Sequence, residues 1–83
     1  MSGNKHLPQL AMVVVPSKPV REAACRKLAA SGFDTVGFSD CENAAAWLEE
    51  ETPVIAIVAT GASGDCKAFL SELRERGSDI EEC

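Results

Sequence analysis

Tyrosine is absent from the 83 residues, and the aromatic content is one tryptophan and three phenylalanines. A core with so few rings depends on Val, Ile, Leu and Ala, and a single small domain is all that this length supports. Histidine occurs once, as His6, so no Ser/His/Asp or Cys/His nucleophile set can be assembled. The cysteines, Cys25, Cys41, Cys66 and Cys83, are widely scattered with no CxxC pair, which argues against a zinc site. Scattered thiols of this kind read as packing residues of a reducing compartment.

Other absences narrow the function further. No apolar run approaches the roughly 18–20 residues that span a bilayer, and no charged-then-apolar segment opens the chain. The expectation is a cytoplasmic protein with no membrane partner. Basic residues are few: eight Lys and Arg stand against thirteen Asp and Glu, for a net charge of -5. A phosphate-backbone footprint is therefore not expected, and nucleic acid is set aside as a partner. Glu49, Glu50 and Glu51 form a solvated run and not a catalytic pair. The chain is read as no enzyme, with no cofactor and no metal.

What is there is an alternation of strand and helix signals. Residues 1–9 are polar, contain Pro8 and read as a disordered tail, leaving 10–83 as the domain. Leu10 to Val15 is continuously apolar and ends at Pro16, the pattern of a strand covered on both faces. Ser17 is placed to cap a helix over 18–31, with Gly32 as its left-handed stop. Its inward stripe is Val20, Ala23, Ala24 and Leu28, into which Lys27 intrudes. A short strand over 34–38 follows. Ser39 and Glu42 form a capping box for a helix to about Glu51, with Ala44, Trp47 and Leu48 facing inward. Val54 to Ala59 is the strongest strand, and a last helix over 65–76 carries the stripe Cys66, Phe69, Leu70 and Leu73 before Gly77. The order βαβαβα with strands 20–25 residues apart predicts an α/β fold: a three-stranded parallel sheet in the order 2-1-3, flavodoxin-like.

Several segments together resemble the first two-thirds of a response-regulator receiver domain. They are Val13-Val14-Val15 with Pro19 beyond, Ala30-Ser31-Gly32-Phe33, Ser39-Asp40-Cys41-Glu42-Asn43-Ala44, and Thr52-Pro53 before Val54–Ala59. The resemblance implies a CheY-like fold and a place in two-component signalling. It also implies a lost chemistry. Receivers hold a divalent cation with acidic groups after the first strand, and those positions are Pro16 and Ser17 here. Their phosphoryl-accepting aspartate falls on Ala59. A degenerate pseudo-receiver, truncated before its fourth strand, is the expectation, either as a natural short protein or as a fragment of a longer regulator.

Without a fourth strand, the third would lie at the sheet edge. Val54, Ile55, Ile57 and Val58 are then an apolar, uncharged edge that needs a partner. The expected role is a non-catalytic protein–protein interaction module. Its partner is a second copy paired through that edge, or another signalling protein, with the face beside the first helix also left uncovered. Two alternatives remain at this point. The loop Thr60-Gly61-Ala62-Ser63-Gly64 sits where backbone N–H groups cradle an anion or nucleotide, though it matches neither GxGxxG nor the P-loop. A thiol switch rests on Cys83, while Cys66, in an apolar stripe, is expected to be inert.

Overall fold

The computed structural model describes residues 9–59 and 66–82. Seven elements follow one another: β1 (Leu10–Val14), α1 (Lys18–Ala30), β2 (Asp34–Phe38), α2 (Cys41–Leu48), β3 (Ile55–Val58), α3 (Cys66–Glu75) and β4 (Asp79–Glu82). The strands form one parallel sheet in the order β2-β1-β3-β4. The α/β class and the central order 2-1-3 are as the sequence predicts, but the sheet has four strands and not three.

The fourth strand is the main correction. Asp79-Ile80-Glu81-Glu82 carries little strand propensity of its own. It forms because β3 offers an unpaired apolar edge, and β4 supplies the missing backbone partner in register Ile55 with Asp79 through Val58 with Glu82. Burial explains the continuous apolar run of β1. Residues Ala11 to Val14 are all at 0% exposure. Met12 and Val14 point into the main core, where Ala44 and Leu48 of α2, Ala56 and Val58 of β3, and Phe69 and Leu73 of α3 meet them.

Local signals set the helix ends. Gly32 and Gly77 follow α1 and α3 with φ of +97° and +82°, the left-handed conformation that ends a helix cheaply only at glycine. The N-cap of α2 is Asp40 and not Ser39: its Oδ1 accepts from the Asn43 N–H at 2.8 Å. The Asp40 carboxylate satisfies the N–H three residues on, in the first turn, so the helix starts one position later than a Ser39 cap would set it. Helix α2 also stops at Leu48, short of the expected Glu51. Ser17 holds the extended N-cap conformation of α1 but makes no side-chain cap bond.

Helix α1 differs most from its expected packing. No residue of it is buried, and Val20, placed in the inward stripe by periodicity, is 56% exposed. The half-buried positions are Arg21, Ala24, Cys25 and Leu28, a stripe rotated towards β2. Gly37 of β2 allows that tilt, since a Cβ there would lie 3.2 Å from Arg21 Cδ and 3.4 Å from Cys25 Sγ.

Candidate functional site

In open parallel sheets, ligands sit beyond the carboxyl ends of the strands, where the strand order reverses. Here that point lies beside β1, among Val15, Pro16, Ser17, Ser39, Asp40 and Ala59. Two of its described polar groups, the Val15 carbonyl and the Asp40 carboxylate, are already engaged by neighbouring side chains. Arg21 Nη1 donates to the Val15 carbonyl at 2.8 Å. Asp40 Oδ2 accepts from Asn43 Nδ2 at 3.1 Å while Oδ1 caps α2. Among the described residues no group of three or more His, Cys, Asp or Glu could hold a metal ion. The Thr60–Gly64 loop, His6 and Cys83 lie outside the described residues.

The sheet's two faces are covered unequally. Helices α2 and α3 close one face over Met12, Val14, Ala56 and Val58. On the other face α1 packs mainly on β2 and β1, and a groove of about 570 Å³ runs along its flank. Val20, Lys27 and Leu28 form one wall, Ile55 and Ile57 the floor, and Glu81 the far rim. The register row Gly37, Val13, Ile57, Glu81 crosses this face. Along it burial falls from the sealed Val13 to the half-exposed Ile57 and the exposed Glu81.

The four expected interface residues therefore do not share an edge. Ile55 and Ile57 face the groove, Val58 is sealed in the opposite core, and Val54 stands 40% exposed just before β3. The backbone edge itself is taken by β4. Pairing of two copies along β3 is not open to the folded chain. The sequence signals for the groove are Lys27, out of place in an apolar stripe, and the expectation that the face beside the first helix is left uncovered.

The closed face carries a second feature. Between α2 and α3 lies a cleft of about 310 Å³ floored by Ala45, Leu48 and Phe69, with Glu42, Glu49 and Glu72 on its rim. At one end of it Cys41 and Cys66 form a disulfide, with Cα atoms 5.4 Å apart. Two of the four cysteines are therefore bonded and not simple packing thiols. Topology brings them together: β2 and β3 both flank β1, so the helices that follow them start at the same sheet edge on the same face. Their 25-residue separation gave no sign of it. Among the described cysteines Cys25 keeps a free thiol. At the far end, Arg76 donates to Glu72 Oε2 at 2.9 Å and to Thr52 Oγ1 at 2.8 Å, fastening α3 to the turn after α2.

Set against protein-family models, curated proteins and solved structures, the chain matches none. The groove beside α1 and the sulfur pair between α2 and α3 are thus judged on their own geometry. Among the described residues no helix is long and apolar enough to cross a membrane.

Proposed function

We propose that this chain is a non-catalytic protein–protein interaction module of a cytoplasmic signalling system, receiver-like in build and unable to accept a phosphoryl group. Its parallel sheet with β1 and β3 side by side supports the receiver-like reading, and Pro16, Ser17 and Ala59, at positions where a receiver carries acidic groups, support the loss of phosphoryl chemistry. The observation that carries the interaction reading is the half-covered face, with Ile55 and Ile57 open beside α1.

The occupant is one amphipathic helix of another signalling protein. Two uncovered strands at about 4.8 Å spacing leave a strip about 10 Å wide, which is the diameter of one helix with its side chains. Lys27 on one rim and Glu81 on the other select a helix with an acidic residue on one flank and a basic residue on the other. The apolar stripe between them rests on Ile55, Ile57 and Val20.

A photo-crosslinking residue at position 57 or 20 tests this. The expected result is an adduct with one signalling protein whose purified form binds the wild-type chain and fails to bind Ile57→Lys. Equal adducts from position 75 on α3 overturn the groove reading. A concentration-dependent dimer in light scattering that Ile57→Lys abolishes overturns the choice of partner in favour of a second copy. Acetyl phosphate should add no phosphoryl mass, and an adduct on an intact side chain overturns the non-catalytic part.

A further inference from the structure

We infer that Cys66 is a site of thiol–disulfide exchange with low-molecular-weight thiols, with Cys41 as the resolving sulfur, so that the bond between α2 and α3 forms and breaks while the fold persists. Three features carry this. The first is unequal access. Cys41 is 1% exposed, whereas Cys66 is partly exposed, so an external thiolate meets Cys66 more readily than Cys41.

The second is the position of both sulfurs. Cys41 is the first residue of α2, directly after its Asp40 N-cap, and Cys66 is the first described residue of α3. With their Cα atoms 5.4 Å apart, the Cys41 sulfur released when Cys66 is attacked stays beside Cys66 and is placed to close the bond again in the return step. The third is that the core is held mostly by other side chains, although Cys41 is itself part of it and Cys66 packs against it. Met12, Val14, Leu48, Val58, Phe69 and Leu73 form one buried cluster joining the sheet to both helices. Loss of the bond therefore frees the cleft end without opening the hydrophobic interior.

The exchange balances as follows. A small thiolate attacks Cys66 Sγ, forming a mixed disulfide there and releasing the Cys41 thiolate, which takes a proton. A second small thiolate attacks the small-molecule sulfur, releasing the Cys66 thiolate and a small disulfide. Two thiols are oxidised to one disulfide while the protein disulfide is reduced to two thiols, and the reverse sequence restores the bond. In a reducing compartment, a protein disulfide of this kind is transient and sensing in character. The chemistry itself is independent of the groove beside α1.

The test uses the full chain with Cys25→Ser and Cys83→Ser, equilibrated in buffers of reduced and oxidised glutathione, quenched by alkylation and read by mass. The expected result is one reversible transition within the accessible glutathione ratios, with the same far-UV circular dichroism on both sides. In single-cysteine chains, Cys66 is expected to take up glutathione at least about tenfold faster than Cys41, because access governs the rate. A bond that never forms in oxidised glutathione overturns the inference. So does a bond that resists excess reduced glutathione, a reduction that unfolds the chain, or equal glutathione uptake at the two positions. If a single-cysteine chain fails to fold, the equilibrium of the intact pair still decides.

Discussion

The Ser78 hydroxyl donates to the Pro53 carbonyl at 2.6 Å, in a buried position and across 25 residues of chain. These two residues stand immediately before the outermost strand and near the start of β3. Together with the Asp79 N–H on the Val54 carbonyl at 2.9 Å, this bond sets where β4 begins to pair.

Ser78→Ala removes the donor while the Pro53 carbonyl stays buried. Stability is expected to fall by about 1–3 kcal/mol, the cost of an unsatisfied buried acceptor. Urea unfolding checks it: the midpoint should drop with the slope unchanged. A change of a few tenths of a kcal/mol would show that β4 docks without this bond.

Removing residues 79–83 strips β4 and bares the backbone of Ile55 to Val58. An uncharged apolar edge is a template for pairing. The shortened chain is expected to aggregate with rising concentration in light scattering, where the full chain does not. A shortened chain that stays monodisperse would mean the edge is covered some other way.

Neighbouring substitutions on β3 should diverge sharply. Ala56 is at 0% exposure in the core under α2 and α3, so Ala56→Lys buries an ammonium and should abolish folding. Ile57 is half-exposed on the groove side. There a lysine stem lies along the strip with its head in water, and Ile57→Lys should retain the fold at a cost of about 1–2 kcal/mol. Thermal melts followed by circular dichroism distinguish the two.

Asp40→Ala should cost about 1 kcal/mol through loss of the α2 cap, while Ser39→Ala should be nearly silent. Ser39 Oγ reaches only Asp40 Oδ2, at 3.5 Å and in an exposed position. Equal losses at the two sites would restore Ser39 as the cap.

Where sequence and structure agree, local chemistry was sufficient. The doubly covered β1, the glycine stops at Gly32 and Gly77, and the Phe69 and Leu73 stripe of α3 each follow from a pattern within one segment. Where they disagree, a partner distant in sequence decided the outcome. Asp79 to Glu82 became a strand because β3 needed one. Helix α1 turned Val20 outward because Gly37 let it lean towards β2. The sulfur pair was invisible because spacing along the chain says nothing about which helices begin side by side. The groove was half legible: Lys27 marked it, but Glu81 could not be placed until β4 existed.

The sheet also acts as a partition for sulfur. Cys25 lies against Gly37 on the α1 side, and Cys41 and Cys66 are joined on the other. No thiol can pass through a wall of backbone, so among these three cysteines the folded chain admits a single intramolecular pairing. A scrambled isomer bonding Cys25 to either of the others is thereby a record that the molecule has unfolded. A maleimide dye on Cys25 can report from the α1 face of the sheet while the opposite bond remains untouched.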